Sequence, residues 1–550
     1  MRLLILSNGP TDAHRRALAA LVGESSSVVA EPASPLPDLT GHDALVVDGA
    51  PPALAADDLG RVEAFVEAGG TLISLDPPVD LGSFWIDLLG ARPGAERHPD
   101  GEYFAKVGDD VVGARLDREF PVVGALRPLQ IPTGSKATTA VAVNIHFKDH
   151  ALVTQRRVGA GRAIACALGA ASVPGGPLAT VLRRAIAGAA DSARAPLGIA
   201  IVGYGPFGGM GYYHGLGIAQ TAGLELLAVV DPSDERRKAA EHDFAGLNAY
   251  TSVDELVGDP DVDVAIVATP PSAHFGLARQ LLSAGKHVAC EKPLCLTAAE
   301  ADELIALSVA NERVLTVHQN RRWDPDFLAI RRAVDAGLLG DLFNVETFVG
   351  GFEHPCRAWH SDVAVSGGAV YDWGSHHVDW ILQLLGSAPA RVTTHGHKRV
   401  WHDVTNLDQL RLHLAWDDGR EAEFFQSDIA GVRRPKFFVQ GTAGTLVGQY
   451  RPVAFERIEP GRGFVTETPH HAEAPAELTL ARYESGYGLT ETSLPLAPEQ
   501  RYGFHRNLAD HLLLGEPLAV TAASVRSVVA VLEASQRSSD EGGRVIELET

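Results

Sequence analysis

Two side chains capable of acid–base chemistry, Asp372 and His376, stand four residues apart in the second half of the chain. On a helix this spacing places both on one face, and Asp379, three residues further on, joins them. A carboxylate beside an imidazole fixes its tautomer and stabilises the imidazolium that forms when the ring accepts a proton. The pair is therefore suited to remove the hydroxyl proton of an alcohol while a hydride leaves for a cofactor. Alone, the pattern is more typical of a surface pair, so the rest of the chain decides its meaning.

A glycine-rich loop, Gly203-Tyr204-Gly205-Pro206-Phe207-Gly208, follows a strand pattern and leads into a helix pattern. Its glycines permit a tight turn and a close approach of the backbone to a pyrophosphate at the helix N-terminus. The glycines continue to Gly211, so the third position of this fingerprint is either Gly208 or Gly211. Asp231 ends the next strand, where a carboxylate can bind the adenosine ribose and would repel a 2′-phosphate. We therefore predict that the cofactor is NAD in preference to NADP.

Five segments between Leu197 and Leu548, a region of about two-thirds of the 550 residues, form an ordered set of motifs. They are Ala268–His274, Ala284–Leu294, Gly367–Asp379, Gly441–Leu446 and Asn507–Pro517. Together they resemble the Gfo/Idh/MocA family of oxidoreductases, the relatives of glucose–fructose oxidoreductase and inositol 2-dehydrogenase. Gln319–Asp324 is similar to a branch of the family that includes some scyllo-inositol dehydrogenases.

The resemblance implies roles for the residues that match the family's motifs. His376 is implied as the acid/base group with Asp372 orienting it, and Lys292 as the lysine that reaches the reacting oxygen. A lysine near a cationic cofactor ring can have a lowered pKa and share in the proton transfer. Asp379 matches a position that contacts substrate hydroxyls. The positions that line the cofactor are matched by Thr269, Pro270, His274, Glu291 and Lys292 itself, and the family pattern implies a cis Lys292–Pro293 bond.

Substrate contacts are expected from aromatic and planar-donor side chains, which suit polyhydroxylated ligands. The family's pocket draws residues from the region of Arg321, Arg322, Trp323, His354, Arg357, Trp359 and His360. From these we predict that Arg322, Trp359 and His360 bind substrate with Asp379, although Arg322 and Trp323 could equally be core or interface residues. His377 and His214 are interpreted as structural. No metal site is predicted, because no set of histidines and carboxylates with ligand spacing is left unused.

The alternation of strand and helix patterns divides the chain. Residues 1–190 predict an open parallel sheet, with strands at Arg2–Ser7, Asp43–Val47 and Thr71–Leu75 and helices near Ala13–Leu21 and Ala56–Ala68. This part resembles the ThuA-like proteins, whose flavodoxin-like fold is related to class I glutamine amidotransferases. An amidotransferase needs a cysteine at a strand–helix elbow, whereas Cys166 lies within an apolar strand, so that activity is not expected.

Residues 191–196 are predicted to be a linker, 197–318 a Rossmann domain, and 319–550 an α+β domain for substrate binding and oligomerisation. Long alternating segments such as Leu407–Ala415 and Glu421–Gln426 indicate a large, mostly antiparallel sheet with one solvated face. The C-terminal helices are expected to pack back on the Rossmann domain. The fold class is thus α/β followed by α+β, and the solvated sheet face predicts a homo-oligomer.

Composition excludes several classes of partner. The formal net charge of −22, from 69 acidic and 47 basic residues, argues against nucleic acid and against an anionic membrane surface. Apolar runs have the length of strands and fall short of the roughly 20 residues that cross a bilayer. The start of the chain reads as a strand and the four cysteines form no disulfide framework, so a cytoplasmic location is expected.

Three functions agree with these patterns. The first is an NAD(P)-dependent dehydrogenase that acts on a secondary alcohol of a sugar, inositol or derivative. The second is redox-assisted glycoside cleavage, in which the sugar is oxidised, eliminates its aglycone and is reduced again. The third is a non-catalytic sensor of sugar or NAD, which would have no need of the base His376 or of Lys292.

Overall fold

The computed structural model describes residues 2–6, 27–31, 36–99, 101–107, 119–146, 148–169, 178–182, 196–205, 209–221, 223–356, 358–450, 455–459, 463–467, 474–497 and 499–548. The chain divides into two compact units, residues 1–195 with 510–517 and residues 196–509 with 518–550. Among the described helices, none combines the length and the apolar character that a membrane span requires.

The first unit is built on an eleven-stranded mixed sheet. Its strands are β1 (Arg2–Leu6), β2 (Ser27–Glu31), β3 (Ala44–Asp48), β4 (Thr71–Leu75), β5 (Arg92–Pro93), β6 (Glu102–Val107), β7 (Glu119–Val123), β8 (Leu129–Gln130), β9 (Thr138–Ile145), β10 (Lys148–Val158) and β11 (Gly161–Cys166), with helices α1 (Ala56–Glu67) and α2 (Ser83–Leu89). The strand order is β2-β1-β3-β4-β11-β10-β9-β6-β7, and β5 and β8 pair beside β10.

The five strands from β2 to β11 in this order are parallel, in agreement with the predicted parallel sheet. The antiparallel strands β10, β9, β6 and β7 extend the sheet and were not predicted. All residues of β4 and β11 are buried, which explains their continuous apolar runs.

Burial raises the pKa of the Cys166 thiol to about 12. The predicted helix near Ala13–Leu21 and residues 191–195 of the predicted linker lie outside the described residues, and the ThuA-like resemblance stays a prediction.

The second unit begins with a six-stranded parallel sheet. Its elements are β12 (Leu197–Val202), α3 (Met210–Ala219), β13 (Leu224–Val230), α4 (Asp234–Asp243), β14 (Asn248–Tyr250), α5 (Val253–Leu256), β15 (Val264–Val267), α6 (Pro271–Ser283), β16 (His287–Cys290), α7 (Ala298–Ala310) and β17 (Leu315–Val317). The order β14-β13-β12-β15-β16-β17, parallel throughout, is that of a Rossmann sheet. In such a sheet ligands bind at the carboxyl ends of the strands, where the order reverses between β12 and β15.

The rest of the second unit is a nine-stranded sheet with helices. Its elements are α8 (Pro325–Asp335), β18 (Leu342–Gly350), α9 (Val363–Ser366), α10 (Ala369–Asp372), α11 (Gly374–Leu385), β19 (Arg391–His397), β20 (Gln409–Ala415), β21 (Glu421–Ser427), β22 (Phe437–Gly441), β23 (Gly444–Gln449), β26 (Glu477–Glu484), β27 (Gly488–Leu494), α12 (Gly503–Leu514), α13 (Ala522–Asp540) and β28 (Ile546–Glu547), with a separate hairpin of β24 (Phe455–Glu459) and β25 (Gly463–Glu467) and short 3₁₀ turns at Asn320–Trp323 and Trp359–Ser361. The order is β27-β26-β23-β22-β18-β21-β20-β19-β28, and β18 with β21 is its parallel pair. The mostly antiparallel character agrees with the alternating sequence pattern.

Apolar packing joins the sheet to α11 and α13. Trp380, Ile381 and Leu532 belong to one buried cluster with strand residues such as Phe424 and Phe437. A buried ion pair, Lys436 Nζ to Asp326 Oδ2 at 2.7 Å, lies within this core. Helix α13 also contacts the Rossmann helix α7, where Arg526 forms a two-bond ion pair with Asp302. The core thus fixes α11, which carries His376.

Candidate functional site

The site is assembled from two parts of the second unit that are distant in sequence. Lys292 follows strand β16, at the carboxyl end of the parallel sheet, while Asp372 ends α10 and His376 lies in the first turn of α11. The Lys292–Pro293 bond is cis, as predicted. Strand ends of a parallel sheet are where a Rossmann fold presents chemistry, and α10 and α11 supply the second set of groups.

The principal contact at the site joins Lys292 to Asp372. Lys292 Nζ donates to Asp372 Oδ1 at 2.8 Å and to the backbone carbonyl of Asp372 at 3.3 Å. Both side chains are partly exposed. Burial by itself would raise the pKa of Asp372, but the Lys292 ammonium, and to a lesser extent the Arg321 guanidinium, hold it below its ordinary value. Asp372 is therefore an ionised carboxylate that orients the lysine.

His376 is almost fully buried beside this ion pair. Burial is the largest cause that holds its pKa well below the ordinary value, and the cations of Lys292 and Arg321 add to the effect. Its Nδ1 atom has no hydrogen-bond partner among the described residues. The predicted bond between Asp372 and His376 is not formed, because the carboxylate is turned to Lys292 instead. The imidazole is thus neutral, and its tautomer is not fixed by Asp372.

An open cleft of about 190 Å³ adjoins Asp372. His360, one of the predicted substrate residues, lines this cleft, and its ring stacks on that of Trp359 at a centroid distance of 3.6 Å. Burial lowers the pKa of His360, so this ring is neutral as well. Of these two predicted substrate residues, His360 therefore lies beside Asp372 in the cleft wall.

Polar residues that the sequence analysis missed complete the cleft. They are Glu353, Asn406, Gln426 and Asp428. Burial, together with the carboxylates of Asp372 and Asp408, raises the pKa of Asp428 to about 7. A polar run of Gln426, Ser427 and Asp428 stands at the end of β21. This run is the signal by which the sequence could have identified Gln426 and Asp428.

The structure gives Arg322 and Asp379 a different role from the predicted substrate contact. Arg322 Nε and Nη2 donate to the two carboxylate oxygens of Asp379 at 2.8 and 2.5 Å, and both side chains are buried. Arg322 also donates to Ser524 Oγ and the Ala519 carbonyl. The guanidinium and the carboxylate satisfy each other, because an unpaired charge at this depth would be costly. They hold α11 to the chain that precedes α13.

The glycine loop is described at both ends. Gly203 has a φ of +91°, and a Cβ there would lie 2.7 Å from Cγ2 of Thr269, so only glycine fits. A Cβ on Gly211 would collide with the Tyr204 backbone, which gives Gly211 the close-packing role of the third fingerprint glycine. Pro206, Phe207 and Gly208 lie outside the described residues.

Asp231 lies at the end of β13 beside this loop. Its Oδ2 accepts from the backbone N–H groups of Tyr204 at 3.0 Å and Gly205 at 3.3 Å, and its Oδ1 accepts from Ser233 N–H at 2.9 Å. The carboxylate thus faces the loop in which a dinucleotide would sit. Two oxygens with about four lone-pair sites keep capacity for a ribose hydroxyl.

Two residues predicted to line the cofactor are engaged elsewhere. His274 lies within 2.7 Å of both the Pro293 carbonyl, through Nδ1, and the Thr269 carbonyl, through Nε2, so it braces the loops after β15 and β16. Glu291 directs its carboxylate to His214 and His318 rather than to the cofactor edge. Thr269 and Pro270 follow β15, as expected from the sequence.

The residues present fit a dinucleotide. Apart from the chain neighbours of Gly205, no described residue has an atom within 4 Å of the Cβ position there, so the loop leaves room for a close ligand. The Thr269 hydroxyl is buried and has no partner among the described residues. Such an orphan buried hydroxyl is satisfied when a polar ligand group reaches it. Gly203, Gly205, Asp231 and Thr269 would therefore hold the cofactor.

Comparison with known proteins agrees with this geometry. Residues 197–319 match the family model described as "Oxidoreductase family, NAD-binding Rossmann fold", and residues 327–447 match the "GFO/IDH/MocA C-terminal domain". The two matches follow each other in the order of the two sheets of the second unit.

Individual relatives show similarity of different extent. An uncharacterized oxidoreductase of Schizosaccharomyces pombe is 33% identical to this chain. The match covers 37% of this chain and 57% of that relative. The scyllo-inositol 2-dehydrogenase (NADP(+)) IolW of Bacillus subtilis is 27% identical over 62% of this chain and 94% of its own length. The crystal structure of an NAD-binding protein from Listeria innocua, 28% identical, covers 64% of this chain and 96% of that chain with a TM-score of 0.53.

Proposed function

The chain belongs to the Gfo/Idh/MocA family of NAD(P)-dependent oxidoreductases, and on that premise we propose that it transfers a hydride between NAD and a secondary alcohol of a sugar, inositol or related polyol. The observation that carries the proposal is the ion pair of Lys292 with Asp372, whose side chain lines the cleft. Bound NAD supplies the hydride acceptor or donor.

We assign to His376 the role of accepting the hydroxyl proton of the substrate, and to Lys292 the role of binding the reacting oxygen. A neutral imidazole can accept the proton of a hydroxyl, and the lowered pKa of His376 supports a neutral ring at physiological pH. The Lys292 ammonium, held by Asp372, donates a hydrogen bond to the oxygen and stabilises the charge that develops there. In this assignment Asp372 positions the lysine, which revises the role that the sequence pattern suggested.

The substrate class is inferred from the cleft wall. Asn406, Gln426 and Asp428 offer donors and acceptors to several hydroxyl groups at once, and the His360 ring, which is stacked on Trp359, adds a flat face. A polyol or sugar ring presents both kinds of surface. The similarity to the scyllo-inositol 2-dehydrogenase of Bacillus subtilis supports the same class.

A preference for NAD rests on Asp231. Its carboxylate lies against the glycine loop, where a 2′-phosphate would meet a negative charge.

Self-association through the nine-stranded sheet stays a prediction.

The proposal is tested by screening inositols, free sugars and glycosides with the purified full-length protein and either NAD or NADP. We expect stoichiometric reduced cofactor with a free polyol or sugar, and loss of that activity in His376→Asn. Turnover of a glycoside without net reduced cofactor would instead identify redox-assisted cleavage. Cofactor binding with no turnover of any compound, in either hydride direction, would identify a sensor and overturn the proposal.

A further inference from the structure

Three histidines from separate elements meet inside the second unit, behind the strand end that carries Lys292. His214 lies in α3, His318 directly after β17 and His505 in α12, and all three are buried. Their ring centroids are 4.6, 5.1 and 5.7 Å apart. Each ring can present one nitrogen so that the three nitrogens lie within 4.8 Å of one another. We call this set the histidine cluster.

One carboxylate fixes the tautomers of two of these rings. Glu291 Oε1 lies 2.9 Å from His214 Nε2 and 2.8 Å from His318 Nδ1. A carboxylate oxygen accepts hydrogen bonds and donates none, so it can satisfy both of these ring nitrogens only when each is an N–H donor. Both facing nitrogens must therefore carry hydrogen. In the neutral rings, the lone pairs are left on His214 Nδ1 and His318 Nε2.

These lone pairs have little else to bind. His318 Nε2 is buried and has no partner among the described residues. His214 Nδ1 lies 2.9 Å from His505 Nε2, and the other nitrogen of His505, Nδ1, is again buried and unpartnered in the described chain. As neutral rings the three imidazoles hold three lone pairs, and with two of their three N–H groups directed to Glu291 only one N–H is left to bind any of them.

Helix α3 makes room for the third ring. A Cβ on Gly217 would lie 2.6 Å from Cε1 of His505, so a larger residue would displace the imidazole. Because Gly217 has no side chain, the His505 ring can occupy the space beside it and stay in the cluster. The three-ring arrangement therefore depends on the sequence of α3 as well as on α12.

We propose that His214, His318 and His505 bind one divalent transition-metal ion of the zinc class, with Glu291 as the carboxylate behind two of the ligands. Neutral imidazole nitrogens are the donors such ions prefer, whereas calcium and magnesium require oxygen ligands. A ligand histidine that donates its other N–H to a carboxylate is the usual arrangement at zinc sites. This site is separate from the proposed dehydrogenase chemistry, since its nitrogens face the interior rather than the cleft.

The bound ion joins three elements that are distant in the sequence, namely α3, the end of β17 and α12. Binding to the folded form alone stabilises that form. The sequence analysis predicted no metal because the ligands are scattered, with His214 and His505 separated by 291 positions.

The test uses untagged full-length protein that is freed of metal with dipicolinate and then given Zn²⁺ or Co²⁺. We expect one ion per chain to survive gel filtration, as measured by plasma mass spectrometry, and the melting temperature to rise by at least about 3 °C in excess Zn²⁺. Co²⁺ should give the intense visible absorption of a low-coordinate nitrogen site. The variants His318→Gln and His505→Gln should lose all three signals, while His413→Gln, which changes an exposed histidine, should keep them.

Retention of only a small fraction of an ion per chain would overturn the proposal, as would equal retention by His505→Gln. Should the variants fail to fold, X-ray absorption of the wild-type zinc form decides, because the proposal requires imidazole scattering from three ligands. A spectrum dominated by oxygen ligands would contradict it. None of these readouts depends on enzyme activity, so they remain informative if the dehydrogenase assignment is wrong.

Discussion

Lys292 Nζ lies 2.8 Å from Oδ1 of Asp372, although 80 residues separate the two in the chain. The contact links the end of a parallel strand to the end of α10, so it draws the two halves of the second unit together at the proposed reaction centre. Because the carboxylate is ionised and partly buried, it holds the Lys292 side chain in one place. The lysine is thereby oriented before any substrate arrives.

Removing the carboxylate charge should disorganise this lysine. We expect Asp372→Asn to lower kcat by about 10²-fold, the usual size of a positioned acid–base contribution, with little change in NAD affinity. Steady-state kinetics on the substrate found by the screen, with cofactor titration by fluorescence, measures both. Asp417→Asn, which alters an exposed carboxylate, serves as the control. Wild-type kcat in Asp372→Asn would refute the positioning role.

His376 and its neighbour His377 form a matched pair for mutation. His377 stacks on Phe424 at 4.7 Å and contacts Trp380 at 4.8 Å, so it is a core residue. We expect His376→Asn to reduce turnover by at least about 100-fold while the melting temperature changes little. His377→Asn should show the reverse, with lower stability and nearly normal turnover. Equal activity losses in both variants would remove the distinction on which the acid/base assignment rests.

Cofactor preference is expected to follow Asp231. Asp231→Ala removes the acceptor for a ribose hydroxyl and the charge that opposes a 2′-phosphate, so NAD should bind about tenfold more weakly than before. NADP binding should change less, which moves the ratio of the two dissociation constants toward NADP. Asp234→Ala, on the exposed start of α4, is the control. An unchanged ratio would reject the ribose contact.

Asp428 should make stability depend on pH. Its pKa is about 7 in the folded protein and ordinarily 3.8, so the folded form binds this proton more tightly than the unfolded form. The resulting stabilisation is complete below about pH 4 and is lost as pH rises through 7, with an upper limit of about 4 kcal/mol. Asp428→Asn keeps a neutral side chain at every pH. Calorimetry from about pH 5 to 8 should show a steeper fall in melting temperature for the wild type than for the variant, and parallel curves would contradict the assignment.

Local patterns predicted the parallel strands well, because their residues are buried on both faces and read as apolar runs. Ile199, Ala200 and Ile201 in β12 are such a run, and they are fully buried. The antiparallel strands of the first unit were missed, since strands such as β9 and β10 alternate irregularly between buried and exposed residues. Strand period is a weak signal where the alternation is broken.

The sequence analysis predicted which residues belong to the site better than it predicted the contacts between them. Spacing put Asp372 with His376 on one helix face, but the nearest opposite charge, on Lys292, came from a distant strand and took the carboxylate. Arg322 and Asp379, 57 positions apart, likewise satisfy each other in a way that spacing cannot reveal. Only the folded chain shows which charges are mutual neighbours.

Glu291 and Lys292 are consecutive residues whose side chains serve different surroundings. The carboxylate of Glu291 is turned to the buried rings of His214 and His318, while the ammonium of Lys292 reaches Asp372 at the cleft. A single peptide unit is thus common to the interior and to the reaction centre. A substitution at position 291 that repacks the interior therefore also acts on the backbone that carries Lys292, so the two positions are mechanically coupled.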